Sequence, residues 1–282
     1  MSLPAPALAA QVPFESNLLL QALSEADRTR VAPYLHPAEF LRGDVLFRVG
    51  DEVSHVTFPL SRTIITFVLP LRDGKSVETA TVGHEGALGG VVSHGYLPAF
   101  SQAVVQVGGP AMRIEAERLN AAKQASAAIR DLFVRYADCL VAQLLQSVAC
   151  NAVHPIEQRC LRWLLTMQDR LGTDELPVTH EMLAEMMGVR RAYLTKVLGE
   201  MQRSGLIRIS RGRLKLVNRP GIEQAACECH ANVRRHFQDV LGAVYGRSGE
   251  IVALDAGHPE TLRPPVLAAL VKPARTAKTR KL

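Results

Sequence analysis

The spacing of hydrophobic and polar positions changes along the chain, and each change predicts a different kind of structure. In residues 17–35 the apolar positions recur at helical spacing, which predicts one or two short helices. In residues 38–114 short apolar runs are separated by the turn signals Gly43-Asp44, Gly50-Asp51 and Asp73-Gly74. This second pattern predicts a small all-β barrel or roll, in which residues 63–68 and 76–82 form the arms of a hairpin.

A long helix follows the roll. Its apolar positions fall at alternating spacings of four and three residues, as in a coiled-coil seam. They are Ile129, Phe133, Tyr136, Leu140, Leu144 and Ser147, and four further apolar residues broaden the seam. A stripe this wide is too apolar for a solvated helix, so it packs on its own domain or on a second copy of the chain. We predict a homodimer through residues 126–151, with these six seam residues at its interface.

Residues 179–217 contain the most informative pattern in the sequence. Thr179 can cap a short apolar helix, and Gly188 ends it. A second helix begins near Arg190, with an apolar stripe that starts at Leu194, and a basic hairpin follows Gly205. This order is the layout of a winged helix-turn-helix, which places its second helix in the DNA major groove.

The polar positions of this module predict its DNA contacts. Because a recognition helix reads bases from its N-terminal half, we expect base contacts from Arg190, Arg191, Tyr193, Thr195 and Lys196. The hairpin is suited to phosphate contacts through Arg208, Arg211 and Arg213. The alternative is an ordinary amphipathic helix pair with a solvated basic face. Helix, turn, basic helix and basic hairpin all fit one module, which favours DNA binding.

The charge distribution supports the same interpretation. Residues 1–150 carry a balance of −2 and residues 151–282 a balance of +8. Only the second half of the chain is therefore expected to bind a polyanion. The N-terminus lacks a signal-peptide pattern and no long apolar run occurs, so we expect a cytoplasmic protein without a membrane span. Five cysteines without the spacing of a disulfide scaffold fit a reducing compartment.

Together these patterns predict an α+β fold: a jelly-roll-like β-roll, a long dimerisation helix and a C-terminal winged helix-turn-helix. The predicted segments are a flexible tail at 1–16, a roll at 17–125, the dimerisation helix at 126–151 and the DNA-binding domain at 152–218. Residues 219–282 are expected to hold one helix, opened by Pro220 and running to about Val244, and a disordered basic tail from residue 246.

Residues 17–218 resemble the Crp/Fnr family of bacterial transcription regulators. The resemblance is carried by FLRGDVLFRVGDEVSHVTFPLSRTI in the roll and LAEMMGVRRAYLTKVLGEMQRSGLI in the DNA module. It implies a dimer that binds a near-palindromic site and recruits or blocks RNA polymerase. It also implies an effector that binds in or near the roll. The effector would change how the central helices position the two DNA-binding domains.

Two departures from the family pattern concern what is bound. In the recognition helix Arg191 fits the family's first Arg, whereas Ala192 replaces a Glu and Lys196 a later Arg, so the half-site of better-known members is not carried over. The turn expected to hold an effector contains Gly83, Glu85, Gly86, Leu88 and Gly89. Leu88 lies where the ribose-binding Glu of cyclic-nucleotide receptors is expected, and no Lys or Arg occurs between Lys75 and Arg113. The effector is therefore unknown and is not expected to be cyclic AMP, and no cofactor is identified.

Other chemistries are weaker interpretations. Cys227-Glu228-Cys229-His230 offers ligand-type side chains, but on one continuous helix the two thiols would point about 200° apart, so we predict no metal site there. The family's iron–sulfur members use N-terminal cysteines, and none precedes Cys139. No catalytic motif occurs, and we predict that the chain is not an enzyme. Two alternatives remain open: an effector-free DNA-binding or architectural protein, and an unrecognised enzyme with a DNA-binding appendage.

Overall fold

The structure is a computed structural model that describes residues 13–72, 76–91 and 98–255. Helices α1 (Leu18–Gln21) and α2 (Glu25–Val31) open it, as the sequence predicts. Within the predicted tail, Phe14–Ser16 form a short 3-10 helix, and residues 1–12 lie outside the described residues. Asn17 caps α1 and also donates from its side chain to the carbonyls of Pro59 and Gly86, which ties this segment to the roll.

Two antiparallel sheets form the predicted roll. The first has the strand order β1-β7-β3 and the second β2-β6-β4-β5. The strands are β1 (His36–Phe40), β2 (Val45–Phe47), β3 (His55–Pro59), β4 (Ile64–Pro70), β5 (Ser76–Val82), β6 (Gln102–Val107) and β7 (Gly109–Glu115). The predicted hairpin is confirmed as β4 and β5, which pair from Ile65↔Val82 to Pro70↔Ser76. Its turn signal, Asp73-Gly74, lies outside the described residues.

Helix α3 (Ala116–Ala125) leads into α4 (Ala127–Val153), the predicted long helix. Ser126 caps α4 by accepting a hydrogen bond from the backbone N–H of Ile129. The inner face of α4 packs on the roll, where the rings of Phe133 and Phe58 meet edge to face at 6.2 Å between centroids. Most of the predicted seam lies on this inner face, because Ile129, Phe133, Tyr136, Leu140 and Ser147 are all at most 8% exposed within one chain. The expectation that these five residues form a dimer interface is therefore wrong, since they pack on their own chain.

The DNA-binding module has its own hydrophobic core. It consists of α5 (Ile156–Leu171), β8 (Glu175–Leu176), α6 (His180–Met187), α7 (Arg191–Arg203), β9 (Ile207–Ser210) and β10 (Arg213–Leu216). The predicted helix signals are confirmed: Thr179 accepts from the N–H of Met182 at 3.2 Å, and Gly188 ends α6 with a φ of 68°. This positive φ is one that glycine adopts without steric cost.

The C-terminal segment differs from the prediction. The expected single helix is two helices, α8 (Arg219–Ala225) and α9 (Cys229–Leu241), and the residues between them are not helical. The chain then forms a hairpin from β11 (Ala243–Tyr245) and β12 (Ile251–Leu254), so the predicted disordered tail does not begin at residue 246. Helix α9 packs along α4, and the carbonyl of Ile251 hydrogen-bonds His84 of the roll. Residues 256–282 lie outside the described residues.

A buried ion pair joins the module to the roll. The Arg170 guanidinium on α5 donates to the carboxylate of Glu85 at 2.7 Å and to the side-chain oxygen of Gln143 on α4 at 3.1 Å. The side chains of Arg170 and Glu85 are only 9% and 3% exposed. Because both charges are buried away from bulk solvent, each is stable there only while the other is present.

We expect Arg170→Met to cost about 3–5 kcal/mol of unfolding free energy, because it leaves the Glu85 carboxylate buried without a counter-charge. The double variant Glu85→Gln/Arg170→Met should recover most of this loss, since an amide needs no counter-charge and its oxygen can still accept from the N–H of Gly83. Denaturant unfolding at fixed pH measures the unfolding free energies of the single and double variants. A double variant no more stable than Arg170→Met would contradict the assignment of the pair.

Candidate nucleic-acid interface

The two helices of the predicted helix-turn-helix are fixed by a shared core. Leu183 on α6 and Leu194, Val197 and Leu198 on α7 are at most 1% exposed. Between the helices, the N–H of Val189 returns to the carbonyl of Ala184 at 2.9 Å, which closes the turn after α6. With one face of α7 held in this core, its other face is turned to solvent.

All of the predicted base-reading residues are exposed on that outward face: Arg190, Arg191, Tyr193, Thr195 and Lys196. Arg190 is the N-cap of α7, and Arg191 is its first residue. The nearest acid to Arg191 is Glu181, at 3.8 Å with both side chains more than two-thirds exposed, and such a pair contributes little. The guanidinium is therefore available to another acceptor. Thr195 is less free, because its hydroxyl pairs with a ring nitrogen of His180 at 3.1 Å.

The predicted wing is confirmed as the hairpin of β9 and β10, with Arg213↔Ser210 as the pair next to its turn. Gly212 in the turn has a φ of 72°, so the chain reverses over two residues. Arg208, Arg211 and Arg213 are exposed, and Arg213 contacts Glu175 at 3.2 Å. The wing thus presents a basic edge beyond the end of α7.

The predicted effector turn is filled by the chain's own side chains. Tyr136 of α4 accepts a hydrogen bond from the N–H of Ala87 and donates to its carbonyl, at 3.0 and 2.9 Å. A Cβ placed on Gly86 would lie 2.2 Å from the Tyr136 oxygen, so no room remains at that position. Leu88 is buried and its backbone pairs with Thr57 of β3, and Gly89 has a φ of 78° beside the carbonyl of His55.

Glu85 and Gly83 complete this turn. The carboxylate of Glu85 accepts from the N–H of Gly83 and from Arg170, so both of its oxygens have partners. The cavity next to it has a volume of ≈ 30 Å³ and is lined in part by Glu78, Gln143 and Arg234. A space of this size is far too small for a nucleotide.

Two further contacts hold the module against β5 of the roll. The indole N–H of Trp163 donates to the carboxylate of Glu78 at 2.6 Å, and the hydroxyl of Ser76 donates to Glu185 of α6 at 2.9 Å. Burial raises the pKa of Glu78, while the hydrogen bonds from Thr81 and Trp163 act in the opposite direction. The helix-turn-helix is therefore docked on the roll of its own chain.

The comparisons with known proteins agree with this architecture. Residues 158–225 match the sequence profile of the Crp-like helix-turn-helix domain. This chain has a Crp/Fnr-type architecture. A search among curated proteins finds no significant match to the sequence.

Three similar solved structures align with this chain over nearly their whole length. A Crp/Fnr regulator from Eubacterium rectale aligns with a TM-score of 0.57 at 17% identity, over 73% of this chain and 96% of that one. FixK2 from Bradyrhizobium japonicum aligns with a TM-score of 0.61 at 11% identity, over 68% of this chain and 98% of that one. The c-di-GMP-responsive regulator CLP from Xanthomonas campestris aligns with a TM-score of 0.56 at 17% identity, over 69% of this chain and 100% of that one. At these identities the likeness establishes the fold, and the predicted Crp/Fnr resemblance is confirmed at that level.

Two groups of residues were not predicted from the sequence. Arg170 supplies a cation to the predicted effector turn from α5 rather than from the roll. The predicted placement of Cys227 and Cys229 on one helix is wrong, because α9 begins only at Cys229. Among the described residues, no helix combines the length and the apolar character that crossing a membrane would require.

Proposed function

We propose that the chain is a sequence-specific DNA-binding transcription regulator that acts as a homodimer on a near-palindromic site. The observation that carries this proposal is the exposed, basic N-terminal half of α7. Its inner face is buried in the module core, and its N-terminal half presents Arg190, Arg191, Tyr193 and Lys196 to solvent. Arg can donate two parallel hydrogen bonds to guanine in the major groove, and the exposed arginines of the wing are suited to phosphate contacts. RNA polymerase is the expected partner at promoters, as it is for the family.

We expect Arg191→Ala to weaken binding to the preferred sequence by about 1–3 kcal/mol per half-site and to leave binding to random DNA nearly unchanged. Arg211→Ala should weaken binding to the preferred sequence and to random DNA alike. It should also reduce the salt dependence of binding, because fewer counterions are released. Fluorescence anisotropy with both DNAs over a range of salt concentrations measures these effects.

Arg203→Ala is the matched control for that experiment. Arg203 is an exposed arginine in the last turn of the same helix, away from the base-reading end, and its loss should change neither affinity. If Arg191→Ala lowers thermal stability and leaves the ratio of specific to random affinity intact, Arg191 only supports its own domain and the proposed reading role is wrong.

The dimer contact is assigned to the outer face of α4. Val134, Val141, Leu145 and Val148 are between 47% and 69% exposed. At 100° per residue these four positions fall within about 60° of arc, centred about 120° around the helix from the inward-facing seam residues. Leu144, at 38% exposed, borders them and is the one residue of the predicted seam that remains accessible. A continuous apolar stripe on an exposed helix is what a symmetric partner helix would cover.

Val141→Glu combined with Val148→Glu should convert the dimer to a monomer, because each charge would be buried against the partner helix. Light scattering after size-exclusion chromatography gives the mass. Leu41→Glu, at an exposed apolar position on the roll, is the control and should remain dimeric. A wild-type chain that is monomeric well above its DNA dissociation constant would contradict the dimer.

The effector is proposed not to be a cyclic nucleotide. Tyr136 fills the turn at Gly86, and Arg170, the cation nearest to the turn, is already paired with Glu85. A cyclic phosphate would have to break that buried pair to obtain a charge-assisted hydrogen bond. The same closure favours the second candidate function, a DNA-binding protein that needs no effector.

Calorimetry with cyclic AMP and cyclic GMP should therefore give no binding heat at micromolar concentrations. The same preparation must bind DNA, which shows that it is folded. Micromolar affinity for either nucleotide would overturn this prediction. DNA binding by the purified chain without any added small molecule is the result expected of the effector-free candidate.

A further inference from the structure

Three thiols and one imidazole converge where α4 ends. The ligand-type atoms of Cys150, His154, Cys227 and Cys229 all lie within 4.8 Å of one another. The sulfurs of Cys150 and Cys227 are 3.6 Å apart, and the Cys229 sulfur is 3.4 Å from Nδ1 of His154. The three cysteines are buried and free.

The local backbone explains why these four side chains meet. Cys150 and His154 are four residues apart at the end of α4, so their side chains share one face of that helix. On the other side, Ala226 is extended after α8 and Cys229 is the first residue of α9. Because Cys227 lies before the helix rather than within it, its thiol is not rotated away from that of Cys229. The packing of α9 along α4 then brings the two pairs together.

The separations match those of a single tetrahedral ion. Zn–S bonds of about 2.3 Å and Zn–N bonds of about 2.0 Å give ligand atoms about 3.5–3.8 Å apart in a tetrahedron. The observed S···S distance of 3.6 Å and S···N distance of 3.4 Å are close to these values, and the other separations are at most 4.8 Å. A cluster of several irons would hold its ligand atoms further apart than these separations.

The residues around the cluster have the arrangement that orients metal ligands. The other ring nitrogen of His154 is 3.4 Å from the carboxylate of Glu228, as in the carboxylate–histidine pairs that fix the ligating nitrogen. The side-chain amide of Gln146 donates to the Cys229 sulfur at 3.1 Å. Arg159 interacts electrostatically with Cys150 and Cys227, and its positive charge suits the net negative charge of three thiolates around a divalent ion.

We propose that Cys150, His154, Cys227 and Cys229 bind one Zn²⁺ ion as a closed, four-ligand site. Four protein ligands leave no position for a substrate, so the ion is structural. Two ligands come from the end of the long helix, immediately before Pro155 and the start of α5. The other two come from the C-terminal segment. The ion would therefore clamp the C-terminal segment to the joint between the long helix and the DNA-binding module.

The test is the metal content of the full chain, purified under reducing conditions without chelator and measured by mass spectrometry of the elements. We expect one zinc per chain. Cys227→Ala and Cys229→Ala should each lower zinc content at least tenfold. Cys139→Ala and Cys160→Ala remove buried thiols that lie outside the cluster and should retain one zinc.

A second measurement does not depend on how the variants fold. Metal-free wild-type chain with reduced thiols is titrated with Co²⁺, which should give the visible absorption of tetrahedral cobalt thiolate at one ion per chain and lose it when Zn²⁺ is added. No absorption change and no zinc uptake would overturn the site. Iron with acid-labile sulfide would replace the single-ion assignment. Zinc loss in Cys139→Ala equal to that in Cys227→Ala would contradict the assignment of Cys227 as a ligand. None of these readouts involves DNA, so they are independent of the proposed regulatory function.

Discussion

The buried pair of Arg170 and Glu85 is the constraint on which the relative placement of the three main parts depends. Arg170 belongs to the DNA-binding module, Glu85 to the roll, and Gln143, which also accepts from Arg170, to the long helix. Both side chains are buried, so separating the parts would leave a charge without its partner. The same guanidinium therefore sets the position of the module and occupies the turn that the sequence predicted as the effector site.

Several features of the surface follow from this arrangement. With its inner face on the roll and on α9, the long helix turns the stripe from Val134 to Val148 outward, where a second copy can cover it. Docking of α6 on β5 leaves the outward face of α7 and the wing exposed. A second carboxylate, Asp169, contacts Arg219, His230 and Arg234, and so holds α8 and α9 against the module. The C-terminal segment thereby becomes part of the joint rather than an appendage.

Local signals in the sequence predict the roll hairpin and the DNA-binding module, because a cap at Thr179 and a stop at Gly188 act over a few residues. Periodicity groups Ile129 with Tyr136 on one face of the long helix, but it does not tell whether the roll or a partner covers that face. The Arg170 contact could not be predicted, since its partner lies 85 residues away. The break before Cys229 carries no Gly or Pro, so the cysteine cluster was hidden by the assumption of one continuous helix.

Selection of binding sites from random DNA by the wild-type full-length chain tests the central claim most directly. Two copies of α7 related by a two-fold axis should enrich an inverted repeat whose half-sites are centred about one helical turn, or a multiple of it, apart. Each half-site should contain a guanine within reach of Arg191. Recovery of DNA without an enriched motif, or with a single unrepeated one, would contradict the account of a dimer that reads sequence through this helix.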